Sequence, residues 1–349
     1  MNSASSRILK NPIIREEVNL KPFNSFQVET GARYFADIVD TSQLKLLIQH
    51  PVFHEQRALA LGGGSNVLFR KYFDGLVLKI SIPGIELIKE DEDHVWLKAG
   101  AGVNWHKFVL FCLGHNYAGV ENLSLIPGNI GAAPIQNIGA YGVELDQVFS
   151  QLEAIEIKTG NSCRFDKDDC GFAYRDSVFK KELKDQFIIT AVTIRLHKAP
   201  KLNLNYGTIN QTLDEMKIKN PTIQNVSEAV CRIRRSKLPD PAELGNSGSF
   251  FKNPIVENSV LQALKKDFPQ IPHYELTDGR VKIPAGWLIE KGGWKGKTIG
   301  KTGTHKKQAL VIVNYGGATG SDIYDYAMQV QHAIKKEFGI TLLPEVNVI

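Results

Sequence analysis

Ser249 stands where a small, polar, Gly-rich run, GNSGSFFKNP at 245–254, meets two phenylalanines. Glycine lets a backbone approach a partner closely, and the aromatics suggest a strand or wall that fixes the loop. A hydrolase nucleophile is one chemistry for such a serine, but the G-x-S-x-G elbow is not met and no His partner presents itself. The bland reading, a turn entering a strand, is as much as this stretch supports alone. Two other stretches ask for a ligand. LGGGSNVLF (61–69) ends a strand and brings Gly62, Gly63, Gly64, Ser65 and Asn66 into one loop. The N–H groups of such a loop can converge on a phosphate. It is not the Rossmann G-x-G-x-x-G, and no helix signal follows.

The second loop, SLIPGNIGAAPIQNIGAYG (124–142), carries Pro127, Gly128, Gly131, Ala132, Gln136, Asn137, Gly139, Tyr141 and Gly142. Linkers are normally polar, whereas this loop has little bulk and no charge. A bed for a large flat cofactor, a dinucleotide or a flavin, explains it better. GGWKGKT (292–298) approaches a P-loop, but Lys291 occupies the position that must be Gly, so it reads as a basic turn between a short helix and a strand. Cys112, Cys163, Cys170 and Cys231 form no C-x-x-C pair and the nine histidines no cluster, so no metal site is expected.

Short strands and helices must position these loops. RALAL (57–61), GLVLKI (75–80), HVWLKAG (94–100), LEAIEIKTGN (152–161) and FIITAVTIRL (187–196) read as strands. VNWHKFVLFCLG (103–114) reads as a helix ended by Gly114. Beyond 200, VSEAVCRIRRSK (226–237) and SVLQALKKDF (259–268) are amphipathic helices and ALVIVN (309–314) is a strand. In SDIYDYAMQVQHAIKKEFG (321–339), Ile323, Ala327, Val330, Ile334 and Phe338 keep helical spacing, Ser321 is placed to cap the start, and Gly339 ends it. The tail ITLLPEVNVI is extended.

The 349 residues are long for one core. With 43% hydrophobic and 23% charged residues the chain reads as a globular protein, and its net charge of +5 is too dispersed to argue for nucleic acid. The start has no apolar run of signal-peptide length, and no run is long enough to span a bilayer, so a cytoplasmic location with reduced thiols and no membrane partner is expected.

IPGNIGAAPIQNIGAYG, YRDSVFK (174–180), GNSGSFFKNP and LPEV (343–346) together resemble the UDP-N-acetylenolpyruvoylglucosamine reductases, in the expected order and from about Asn24 to the end. The resemblance implies an α+β protein. Its vanillyl-alcohol-oxidase-type FAD-binding region has two α/β subdomains (20–200, split near 80), followed by a UDP-sugar domain (201–340) and a C-terminal strand returning to the active site (341–349). It implies non-covalent FAD, NADPH as reductant, UDP-N-acetylglucosamine enolpyruvate as substrate, and a monomer.

The resemblance also implies roles. Ser249 becomes the proton donor, while Arg175 and Glu345 bind and polarise the substrate carboxyl group. Lys237, Asn253, Gln308 and Tyr206 contact the substrate, and Tyr206 sits on a loop that closes over the UDP-sugar. The Gly-rich residues above hold the flavin. Taken alone, Arg175 could equally pair with Asp176, Lys237 could be a solvated helix cation, and Tyr206 a packed aromatic. Asn347 departs from the pattern, since relatives often place an arginine there, and Ser247 stands where alanine is common. Two rivals remain at this point. An alcohol or aldonolactone oxidase on the same fold often tethers flavin through His or Cys, which both loops lack. A nucleotide-sugar binding protein has no need of a proton donor.

Overall fold

Alternation sets the larger sheet. In His94–Gly100 the residues Val95, Leu97 and Ala99 are buried while His94, Trp96 and Lys98 are half-exposed, the pattern of a strand with one dry face. Phe187–His197 is instead buried along nearly its whole length, which is why its sequence is a continuous apolar run. It is the central strand of five, in the order Ser162–Asp166, Phe149–Glu156, Phe187–His197, His94–Gly100 and Ile85–Glu90, all antiparallel. The computed structural model describes residues 12–206 and 208–349.

The helix Trp105–Gly114, capped by the Asn104 side chain accepting from the Lys107 N–H, contributes Trp105, Phe108, Val109 and Cys112 to the core beside this sheet. Gly114 is its last residue rather than its stop. The left-handed residue comes two positions later, at Asn116 (φ 58°), because His115 still bonds back to Cys112 and Leu113. Burial holds the Cys112 thiol far above its usual range and pushes the Cys170 thiol up to about 12; all four cysteines are free.

A second sheet orders Ile14–Asn19, Gly31–Ile38, Phe73–Ile80 and Ala58–Leu61, the last two parallel. A third orders Gly245–Ser249, Val311–Asn314, Thr302–Thr304 and Thr298–Ile299. The helix Gly320–Phe338 buries Ile323, Ala327, Val330, Ile334 and Phe338 in the same core as Ile312 of this sheet. Its cap is Thr319, not Ser321: Thr319 and Asp322 form a reciprocal capping box, while the Ser321 hydroxyl donates to the Arg70 carbonyl. Gly339 ends it in the left-handed conformation, as expected.

The chain forms two compact units and does not divide at 200. One unit holds 12–18, 32–63 and 74–236, the other 19–31, 64–73 and 237–349. The helix Ile223–Lys237 explains the later boundary. Val226, Val230 and Ile233 pack with Ile209 and Leu213, and Tyr141, Leu202 and Leu204 pack against the same cluster, so the chain leaves the first unit only at the helix end. The early segments belong to the second unit because strand Val67–Leu68 pairs in parallel with Asn347–Val348 and the Asn246 N–H donates to the Ser25 carbonyl.

One buried carboxylate makes the first unit pH-sensitive. Burial pushes Glu121 above the usual carboxylate range, opposed by hydrogen bonds including one from the Gly119 N–H at 2.7 Å. The folded state therefore holds this proton more tightly than the unfolded chain does, and stability falls as pH rises from the ordinary carboxylate range through the raised value. Glu121→Gln keeps an acceptor for Gly119 without the buried charge. The variant should melt above the parent at pH 8, with the gain shrinking at pH 5; an equal shift at both, or a loss at both, would contradict this account.

Candidate active site

In the second unit the strand Gly245–Ser249 is bulged. Gly245 pairs with Asn314, Asn246 with Val313 and Ser249 with Val311, so Ser247 and Gly248 together stand against the single residue Ile312. Gly248 takes φ 68° at the bulge, with its N–H on the Asn246 side chain at 2.9 Å. Bulges re-aim side chains, and here the bulge sets the direction of the half-exposed Ser249. Phe250 and Phe251 are the wall behind it, both essentially fully buried. The Phe250 N–H donates to Leu310 O, and Phe250 O accepts from the Glu345 N–H, each at 2.8 Å. Backbone pairing thus carries Glu345 to the residue beside Ser249.

Two other candidates lie on the same framework. The Asn253 side chain accepts from the Ala285 N–H at 2.9 Å, and Gln308 closes a turn in which the Val311 N–H donates to its carbonyl at 3.1 Å. Ser249, Asn253, Gln308 and Glu345 therefore share the second unit. Ser247 is buried, its hydroxyl 3.1 Å from that of Ser25, so its extra oxygen is engaged away from solvent. Asn347 donates its side-chain amide to Asn66 O at 3.0 Å, and the Asn66 amide donates to Glu345 O at 3.3 Å.

Arg175 belongs to the first unit. It takes φ 55°, uncommon for a residue with a Cβ. Its guanidinium donates to the Asn137 and Gly139 carbonyls and lies 3.6 Å from the Glu144 carboxylate. Asp176 pairs with Lys181 at 2.7 Å, and the acid placed against Arg175 is Glu144. Gly139 leaves room for this arrangement, since a Cβ there would stand 2.8 Å from Arg175 Nη1 and Glu144 Cγ and 3.0 Å from the Val143 carbonyl oxygen.

Tyr206 is exposed but not isolated: its ring meets Tyr141 edge to face at 6.4 Å. Lys237 is the exposed last residue of its helix, where the chain passes from one unit to the other.

The long Gly-rich loop is pinned along the neighbouring backbone. Trp105 N–H donates to Gly128 O, Ile130 N–H to Val103 O and Gly131 N–H to Ala101 O. The Trp105 indole reaches Leu123 O at 2.9 Å, and Ser124 and Ser227 hydroxyls lie 2.7 Å apart. The Leu125 N–H donates to His106 Nδ1 at 3.0 Å, which needs a neutral ring, and burial with Arg235 and Arg234 nearby lowers its pKa.

Close packing, more than cofactor access, demands some of the glycines. A Cβ on Gly63 would lie 2.9 Å from Gly128 Cα, and one on Gly131 2.5 Å from the Ala101 Cβ. The two loops thus meet backbone to backbone.

Arg234 escaped the reading of the sequence. Its Nε is buried without a hydrogen-bond partner, and burial depresses its pKa against the opposing influence of Tyr141. The signal was available: Arg234 follows Val226 and Val230 at four-residue steps, a cation on the apolar stripe of its helix. A buried donor facing a glycine loop fits a flat, anionic group such as FAD. The loops hold no His or Cys to tether it.

Residues 33–165 match the model of an FAD binding domain, and 240–349 that of the UDP-N-acetylenolpyruvoylglucosamine reductase C-terminal domain. The reductase of Amoebophilus asiaticus is 50% identical, covering 96% of this chain and 99% of the relative. The chain belongs to the UDP-N-acetylenolpyruvoylglucosamine reductase family. Those of Flavobacterium johnsoniae and Pseudomonas aeruginosa are 48% and 45% identical, each over 96% of this chain and 99% and 98% of their own length. A crystal structure of the Thermus caldophilus reductase covers 96% of this chain and 99% of its own at TM-score 0.66 and 22% identity, which shows a shared fold. As a member of this reductase family the chain is an FAD-dependent oxidoreductase. No helix among the described residues is long and apolar enough to cross a membrane.

Proposed function

We propose that this chain reduces UDP-N-acetylglucosamine enolpyruvate to UDP-N-acetylmuramate with NADPH, a step of peptidoglycan precursor synthesis. The observation that carries the proposal is the bulged strand end that sets Ser249 beside the backbone partner of Glu345. FAD held by the Gly-rich loops and reduced by NADPH would supply the hydride equivalent that the vinyl methylene carbon takes up. Negative charge then develops on the adjacent carbon and spreads into the carboxylate. Ser249 gives its proton to that carbon; serine is a weak acid, but the carbanion is strongly basic and a held donor needs no diffusion. Arg175, its backbone fixed and its guanidinium preorganised by carbonyls, stabilises the carboxylate. Glu345 polarises the same group, with Lys237 as the compensating cation, since two carboxylates cannot comfortably share a site. Asn253, Gln308 and Tyr206 hold the UDP-sugar. Gly62 to Asn66, Pro127, Gly128, Gly131, Ala132, Gln136, Asn137, Gly139, Tyr141 and Gly142 hold the flavin, with Arg234 as a further donor.

An anaerobic visible spectrum tests the whole reading. The flavin band should bleach with NADPH and return when the enolpyruvyl UDP-sugar is added. A protein that stays colourless after incubation with FAD, or a reduced flavin that the UDP-sugar does not reoxidise, would overturn it.

A further inference from the structure

Tyr206 is exposed, and an exposed aromatic on a loop contributes to recognition only if its main chain is held where a ligand can meet it. In the first unit that hold is specific. Leu202 and Leu204 are anchored in the cluster formed by Ile209, Leu213, Val226 and Val230. Asn203, between them, turns the other way. Its side-chain amide donates to Gly142 O at 3.1 Å, and its carbonyl accepts from Asn122 Nδ2 at 2.9 Å. The same Nδ2 donates to Tyr141 O at 3.0 Å. Asn122 is buried, 1% exposed, and both its amide protons are used while its Oδ1 has no hydrogen-bond partner. A buried acceptor left unpaired is costly, so a position that keeps it is held for what its other end does. Here the other end joins two chains, the Tyr141–Gly142 turn of the Gly-rich loop and the segment that leads into Tyr206. The fit is tight: a Cβ on Gly142 would lie 3.2 Å from both Asn203 Nδ2 and Tyr206 Cβ. Both turn residues also have positive φ, 50° at Tyr141 and 79° at Gly142, a conformation that aims two successive carbonyls at the two asparagines.

We propose that Asn122 and Asn203 are positioning residues for Tyr206, clamping its segment to the Gly-rich loop so that the aromatic ring is presented to the nucleotide-sugar substrate. The inference rests on the reading above in which Tyr206 contacts that substrate. Neither asparagine supplies a side chain to the reaction. Because the clamp holds the Tyr141 and Gly142 carbonyls of the loop assigned to the flavin, the rate of flavin reduction is the control that separates its effect on Tyr206 from an effect on that loop.

The test compares Asn203→Ala, Asn122→Ala and Tyr206→Ala in the flavin-loaded enzyme, by steady-state kinetics with the enolpyruvyl UDP-sugar and by stopped-flow reduction with NADPH. Asn203→Ala removes one hydrogen bond at a half-buried position and spares the core, so it remains informative if Asn122→Ala fails to fold. Its KM for the UDP-sugar should rise about three- to tenfold, one hydrogen bond's worth, while the rate of flavin reduction by NADPH and the melting temperature stay near the parent's. In an Asn203→Ala, Tyr206→Ala double variant the two effects on KM should not add, since the clamp works through Tyr206. If Tyr206→Ala raises KM but Asn203→Ala does not, the clamp is wrong and the substrate role of Tyr206 stands. If Tyr206→Ala leaves KM unchanged, the substrate role itself fails and the clamp with it. Equal losses in both half-reactions, with a lower melting temperature, would mark the asparagines as structural only and overturn the proposal.

Discussion

Ser249→Ala is expected to leave reduction of the flavin by NADPH near the parent's rate and to slow its reoxidation by the enolpyruvyl UDP-sugar by about 10²–10⁴-fold, the range of a positioned acid. The substitution removes one oxygen from a half-exposed position on a strand edge whose backbone pairing does not involve the hydroxyl. The bulge is held by Gly248 and Asn246, and the wall behind by Phe250 and Phe251, so the fold has no reason to change. Hydride delivery and protonation belong to the second half-reaction alone, hence the split. Ser249→Cys keeps a transferable proton and should retain more activity than alanine. Stopped-flow traces of the two half-reactions decide the matter. A loss of similar size in both, or an unimpaired second half-reaction, would remove Ser249 from the role.

Much of this architecture could be read before any coordinates. Helix Gly320–Phe338 announced itself by five apolar residues at helical spacing, and strand Phe187–His197 by an uninterrupted apolar run. What the sequence concealed has a common cause. Caps and boundaries depend on a few dihedrals: Thr319 outcompeted Ser321 because Asp322 completes a reciprocal pair with it. The unit boundary at 236 rather than 200 depends on which core a helix packs into, and amphipathic spacing says that a face is buried without saying against what.

The site divides likewise. Motif order placed Ser249, Arg175 and Glu345 on the list, but the left-handed backbone of Arg175 and the bulge before Ser249 are tertiary facts. Arg234 and Asn122 were passed over because a single polar residue within an apolar stretch draws attention only when its burial is known.

Gly64→Ala should be the most damaging small change to the loop 62–66 proposed to hold the flavin. Gly64 has φ 64°, where an L-residue costs about 1–2 kcal/mol. Steric conflict adds to this: a Cβ would fall 1.9 Å from Phe23 O and 2.8 Å from Phe23 C. The carbonyl it meets cannot easily retreat. Asn24, buried, donates to Leu20 O and Val28 O and accepts from the Val28 N–H, at 2.9, 3.0 and 2.9 Å, bracing that turn from within. The Ser25 N–H in turn donates to Gly64 O at 3.0 Å, so the loop is tied to the obstacle. Overpacking of this kind costs about 1–3 kcal/mol, giving roughly 2–5 kcal/mol in all against a typical total of about 5–15. Gly339→Ala is the matched control, since Gly339 has φ 69° but nothing within 4 Å of its Cβ position. Both variants carry the dihedral penalty, and only one carries the clash. Denaturant melts should therefore show Gly64→Ala less stable than Gly339→Ala by about 1–3 kcal/mol, and flavin should be lost from the first and kept by the second. Equal melts would mean that the Phe23 turn gives way, and that the glycine at 64 serves its dihedral angle alone.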